Sequence, residues 1–238
     1  MTLGAIVSDQ LFNKKVAILR VSKDIYSDLA TADTAEIFEN TLVFGSKTIK
    51  LWGLDTETLY LNSTDRSMLN GDQGIANKIA MEAICKMAVV QSANELIDVT
   101  KGHIDGCILA HDANLIFAEK MYKLGANVSI PTTINAISVN LNNWENQGVE
   151  PDFGNKASRL ANAYQKMGAH PTYTCAPYLL ENKPQRDEVI GWSESNAVIY
   201  ANSILGAKTQ KHPDYLDLFI AMTGRAPVSY THLRAHET

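Results

Sequence analysis

Residues 70–88, NGDQGIANKIAMEAICKMA, and the run at 97–104, IDVTKGHI, decide the fold. Ala76, Ile79, Ala80, Ala83, Ile84, Met87 and Ala88 recur with the period of a helix that buries one face. Asn70 and Gln73 stand ahead of them at capping-box spacing. The spacing then predicts a strand over Ile97–Ile104. Helix–strand alternation of this kind is the signature of an α/β fold. It continues toward the C-terminus. Ala113–Leu124 predicts a helix closed by Gly125, a residue suited to a left-handed C-cap. Asn127–Ile130 predicts a short strand stopped by Pro131. Asn155–Met167 predicts a helix closed by Gly168, and Thr172–Tyr178 an extended segment. Further helices are expected at Ser195–Leu205, stopping at Gly206, and from Pro213 to Met222.

Toward the N-terminus the pattern changes. Val16–Val21, VAILRV, is a continuous apolar run rich in β-branched residues, as in a buried strand. Thr41–Phe44 and Thr48–Trp52 predict two more strands, with Gly45-Ser46 as the turn between them. Asn62–Asp65 is polar and reads as a linker. Three zones result: a β-rich segment at 1–62, an α/β segment at 63–227, and residues 228–238, VSYTHLRAHET, which show neither period.

Composition narrows the function classes. The 238 residues are 45% hydrophobic and 20% charged, which suits a globular protein with a buried core. A formal charge of -5 gives no electrostatic reason to expect nucleic acid or an anionic membrane as partner. A membrane span needs about 18 consecutive apolar residues, and no such run occurs. Met1–Gln10 lacks the basic and apolar regions of a signal peptide. Three widely separated cysteines, Cys85, Cys107 and Cys175, fit a reducing, cytoplasmic compartment better than a disulfide framework.

Several stretches carry chemistry. In His103-Ile-Asp105-Gly-Cys107, an extended backbone would place an imidazole, a carboxylate and a thiol on one face. That set suits metal binding, acid–base work or an activated thiol, and it equally suits a strand end with one polar face. Thr132, Thr133 and Asn135 follow a strand, where open α/β folds bind ligands and where ordinary turns and caps also lie. Cys175 sits among hydroxyl groups in a segment that Pro177 limits to extended or turn geometry; such a cysteine serves as a ligand or as a small buried apolar residue. Glu194-Ser195-Asn196 is either a helix start aimed at an anion or a plain cap.

Six blocks together resemble the aconitase X family: LNGDQGIANKIAM (69–81), HIDGC (103–107), GANVSIPTTIN (125–135), TYTCAPYL (172–179), WSESNAVIYANSILGAKT (192–209) and DLFIAMTGRAP (217–227). The resemblance runs from Asp65 to Pro227 and covers about the first half of the family's catalytic domain. It implies an α/β fold, the N-terminal half of an aconitase-like three-layer catalytic domain at 63–227. LGAIVSDQLFNKKVAIL (3–19) resembles the end of the family's β-rich swivelling small domain, so 1–62 is expected to be its C-terminal remnant and Met1 not the natural start. Residues 228–238 resemble the translation of a transposon-type sequencing adapter. The natural chain is then expected to continue beyond Pro227.

The resemblance also implies a function. The family removes water from small hydroxy acids, here cis-3-hydroxy-L-proline or, as the alternative, mevalonate 5-phosphate. It uses an iron or iron–sulfur centre held by three cysteines, as a Lewis acid on the departing hydroxyl. Cys175 is similar to the first ligand, and the other two are expected beyond Pro227. His103, Asp105, Thr132, Thr133, Asn135, Ser195 and Asn196 are the expected substrate contacts. Lys208 stands where relatives carry an arginine, which keeps the charge and loses bidentate anion binding. Partners are the hydroxy acid and the rest of the protein's own small and catalytic domains. Two other readings stay open: a metal-independent enzyme with Cys107 as nucleophile and His103 as base, and a fragment without activity.

Overall fold

The computed structural model describes residues 59–227, together with the backbone of five strands between residues 3 and 50. The tail 228–238, the turn at Gly45-Ser46 and Leu51-Trp52 lie outside the described residues. The chain divides into two compact units between Thr56 and Glu57.

In the first unit, β1 (Leu3–Val7) pairs antiparallel with β2 (Ala17–Val21), with Leu3 opposite Val21. Residues 17–21 of the expected apolar strand are in β2, and Val16 lies outside the described residues. β3 (Ala35–Phe38), β4 (Thr41–Phe44) and β5 (Lys47–Lys50) form an antiparallel meander.

The second unit opens with α1 (Ser63–Asn70). Asn62–Asp65 is not a linker but its capping box: Asn62 Oδ1 accepts from Asp65 N at 2.8 Å, and Asp65 Oδ2 accepts from Asn62 N at 3.1 Å. The Asn70/Gln73 spacing does not cap a helix. Asn70 ends α1, and Gly71, at φ +94°, closes it with a left-handed turn. α2 (Ile75–Val90) follows and buries Ala76, Ala80, Ile84 and Ala88 as its period requires.

The predicted strand at Ile97–Ile104 is two strands. β6 (Leu96–Asp98) pairs antiparallel with β10 (Arg225–Pro227), and β7 (Gly102–Ile104) enters a different, parallel sheet. Between them, Val99 N and Thr100 N donate to Gly224 O and Val189 O. The strand expected at Asn127–Ile130 is also displaced. Val128 N and Ser129 N donate to Met167 O and Ala221 O at the ends of two helices, and the strand β8 is Thr132–Ile134. Pro131 opens this strand: it has no N–H to give, and its carbonyl accepts from Gly102 N.

The parallel sheet has the order β8-β7-β9, with β9 at Gly191–Trp192. α3 (Asp112–Lys123) and α4 (Pro151–Lys166) pack on one another. α4 begins ahead of the predicted Asn155 because Pro151 suits the first helical position and Glu150 Oε2 caps Phe153 N at 2.8 Å. α5 (Ser195–Tyr200) widens into a π turn at Ala201–Leu205 before Gly206, and α6 (Leu216–Thr223) starts after Tyr215, later than the predicted Pro213.

Alternation along the sheet gives it two faces. Gly102 and Gly191 face α6: a Cβ on Gly102 would stand 3.2 Å from Ala221 Cβ, and one on Gly191 2.5 Å from Ile220 Cγ2. Ile104 and Ile134 join α2, α3, α4 and α6 in the main core. On the opposite face, Trp192 packs with Ala197, Val198 and Ala201 of the α5 segment. Helices thus flank the sheet on both sides, in three layers.

Candidate active site

The three parallel strands end together, and the residues at and after their carboxyl ends form the polar cluster of the second unit. This is where open α/β sheets bind ligands. In register, His103 of β7 stands beside Thr133 of β8 and Trp192 of β9. His103 is fully buried. Its Nδ1 lies 2.7 Å from Thr133 Oγ1, and its ring meets that of Trp192 edge-on at 6.0 Å. Nε2 points toward Glu194 Oε2, 3.5 Å away, and neither atom has a hydrogen-bond partner.

Beyond the strand ends, Asn135 Nδ2 donates to Asp105 Oδ1 at 2.5 Å, while Asn135 Oδ1 accepts from Ala136 N at 2.6 Å. The amide is buried and has one orientation available, so it fixes the carboxylate it touches. Burial raises the Asp105 carboxyl above the usual range. The hydrogen bond from Asn135 opposes this, and the neighbouring Asp214 and Glu194 carboxylates add to it.

Asp217 lies beneath, at the first turn of α6, without solvent exposure. Its Oδ2 accepts both from Asp105 N and from Ser193 Oγ, each at 2.7 Å. One carboxylate oxygen thereby laces Asp105, after the end of β7, to Ser193, after the end of β9. Burial pushes the Asp217 carboxyl up to about 6, against the hydrogen bonds that hold its charged form.

The expected site residues divide. His103, Asp105, Thr133 and Asn135 come together. Thr132, buried, turns its hydroxyl away to Ile130 O at 2.8 Å. Ser195 and Asn196 are exposed on α5, and Asn196 Nδ2 holds Cys175 O at 2.9 Å, which ties two of the expected positions by a backbone contact. Lys208 pairs with Asp187 at 3.2 Å. Sequence reasoning passed over Ser193 and Asp217, and read Glu194 only as part of a helix start. An acidic residue in a helix's first turn reads as a dipole partner, and only the tertiary fold shows Asp217 to be buried.

Cys107 does not share the face of His103. β7 ends at Ile104, and Asp105–Cys107 turns, with Cys107 N donating to Asp105 O at 2.7 Å. The thiol enters the main core, donates to Ile104 O at 3.1 Å, and is held protonated, chiefly by burial and then by the Asp217 charge. A buried thiol of raised pKa is a poor nucleophile, which removes the support for the cysteine-nucleophile reading. Cys85 is likewise buried and pushed up to about 12 by burial and by Asp65 and Glu82. Cys175 is exposed. Among the described residues no three His, Cys, Asp or Glu side chains converge to hold a metal.

A family model described as aconitase X first domain matches residues 58–235. The cis-3-hydroxy-L-proline dehydratase of Hypocrea jecorina is 40% identical over 253 aligned positions, which cover 100% of this chain and 42% of that protein. The enzyme of the same name from Pseudomonas aeruginosa is 41% identical over 98% of this chain and 41% of its own length. The phosphomevalonate dehydratase large subunit of Methanothermobacter thermautotrophicus is 32% identical over 74% of this chain and 45% of its own. The crystal structure of Thermococcus kodakaraensis aconitase X in its holo-form superposes with a TM-score of 0.68 at 32% identity, covering 75% of this chain and 44% of that one. The chain thus spans less than half the length of each of these relatives.

Proposed function

Because this chain belongs to the aconitase X family, we propose that the protein it forms part of is a hydro-lyase that removes water from cis-3-hydroxy-L-proline. The observation that carries this reading is coverage. The two relatives named for that reaction align with 100% and 98% of the chain at 40% and 41% identity, whereas the phosphomevalonate dehydratase subunit aligns with 74% at 32%.

Elimination takes a proton from the carbon beside the carboxylate and expels hydroxide from the next carbon. The chain's own residues suit the binding and orienting part of that task. Thr133 and Asn135 are fixed hydrogen-bonding groups at the strand ends, and Asp105 is a partly desolvated carboxyl held by Asn135. Charge also separates the two candidate substrates. Asp214 and Glu194 both neighbour Asp105, and among the described residues no lysine or arginine forms an ion pair with these three. Such a site disfavours a phosphate dianion.

An iron or iron–sulfur centre, when bound, supplies Lewis acidity at the leaving hydroxyl. Of the described residues, Cys175 has the exposure a ligand needs, while Cys85 and Cys107 are buried and keep their protons. These residues by themselves do not complete such a centre, so the 238-residue chain alone is inactive on this reading. No helix of the described residues is long and apolar enough to cross a membrane, and the three free thiols suit a reducing cytoplasm.

The test is parallel turnover of cis-3-hydroxy-L-proline and mevalonate 5-phosphate by the full-length protein. Turnover of the hydroxyproline is expected. Turnover of the phosphate ester alone would overturn the reading.

A further inference from the structure

We propose that Asp105 and Glu194 form the subsite that takes the protonated ring nitrogen of the substrate, a secondary ammonium, and that His103 is the positioning residue behind Glu194. The inference rests on the reading of the substrate as a hydroxyproline and assigns its nitrogen to named side chains.

Placement comes first. Asp105 follows β7 and Glu194 follows β9, on adjacent parallel strands. Asp217 Oδ2 accepts from Asp105 N and from Ser193 Oγ, so one buried atom ties the backbone of Asp105 to Ser193, the residue before Glu194. Asp105 is oriented by Asn135 Nδ2 on Oδ1, which leaves Oδ2 for a ligand.

His103 provides an independent observation. It is fully buried, and its Nε2 lacks a hydrogen-bond partner and is aimed at Glu194 Oε2, 3.5 Å away. Nδ1 lies 2.7 Å from Thr133 Oγ1, whose hydroxyl also reaches Gly102 O at 3.5 Å, so the ring is held with Nε2 facing that carboxylate. A buried imidazole thus faces Glu194 at the same strand ends that carry Asp105.

Charge completes the case. Asp214 and Glu194 both act electrostatically on Asp105, and among the described residues their partners include no lysine or arginine. Partly desolvated carboxylates whose neighbouring cationic group is only the His103 imidazole are costly unless a further cation joins them. A compact ammonium with two N–H donors matches two carboxylate acceptors.

The experiment uses the full-length protein with cis-3-hydroxy-L-proline and its ring-oxygen analogue, cis-3-hydroxytetrahydrofuran-2-carboxylate. Wild type is expected to prefer the ammonium compound by about 10- to 100-fold in KM, the range of one or two charged hydrogen bonds. Asp105→Asn and Glu194→Gln should raise KM for hydroxyproline by about 10-fold or more and so narrow the preference over the oxygen analogue. His103→Phe should narrow the same preference, which a loss of general stability would not do. Equal binding of the two compounds by wild type overturns the assignment without any variant. Variants that lower kcat and preserve the preference overturn it too, by placing these carboxylates in the chemistry instead. If wild type turns over no hydroxyproline, the functional reading fails and this assignment falls with it.

Discussion

Replacing Arg225 with methionine should unfold the start and end of the second unit together. Arg225 lies in the DLFIAMTGRAP block of the family resemblance, and its side chain is 10% exposed and turned into the fold. Its Nε and Nη2 donate to Asp65 at 2.9 and 3.1 Å, Nη2 also donates to Leu96 O at 2.8 Å, and Nη1 donates to Asp98 at 2.5 Å. Asp65 is completely buried, so without the guanidinium its charge keeps only the backbone hydrogen bond from Asn62 N at 3.1 Å. Breaking a buried pair by removing one partner costs about 3–5 kcal/mol. The Asp98 contact adds little, because that side chain is 89% exposed. Loss of the donor to Leu96 O adds about 1 kcal/mol. The expected total is about 4–6 kcal/mol, read from denaturant midpoints of the full-length protein, with faster amide exchange in β6 and β10. Removing both charges in Arg225→Met/Asp65→Asn should recover more than half of the loss. A single variant costing under about 1 kcal/mol, or a double variant as damaged as the single, would refute the reasoning.

Three other outcomes are expected. Asp217 has a folded-state pKa of about 6 against 3.8, so its stabilising contribution is complete below 3.8 and is lost as pH rises through about 6. Wild type should therefore gain about 1 kcal/mol over Asp217→Asn between about pH 7.5 and pH 5; a pH-independent difference in their denaturation midpoints contradicts this. Gly191→Ala would press a Cβ to 2.5 Å from Ile220 Cγ2 and should cost about 1–3 kcal/mol in chemical denaturation, whereas a neutral effect would mean that β9 does not pack tightly on α6. Alkylation mapped by mass spectrometry on the native, metal-stripped protein should label Cys175 and spare Cys85 and Cys107; prompt labelling of Cys107 would restore it as a nucleophile.

Periodicity made the helices legible. The stripe from Ala76 to Ala88 and the glycines at 125, 168 and 206 place α2–α5 within a few residues of where they form. Short strands were harder. β8 has three residues, and the apolar Val128–Ile130 that looks like a strand spends its N–H groups on helix-end carbonyls. Pro131 reads as a stop when it is an entry. Block resemblance located His103, Asp105, Thr133 and Asn135, because strand ends bring sequence-distant residues together in a regular way. It could not reveal that Thr132 turns to its own backbone or that Cys107 rotates into the core, since one residue of turn after Ile104 cancels the alternation. Asp217 and Glu194 depend on contacts with β7 across more than ninety residues, which no local pattern encodes.

The most direct test of the account is a crystal structure of the full-length protein with L-proline, which carries the ring nitrogen and carboxylate of the substrate but no hydroxyl to eliminate. The account predicts that proline seats at the carboxyl ends of β7, β8 and β9, with its nitrogen within hydrogen-bond reach of Asp105 and Glu194. Proline bound away from these strand ends would contradict it.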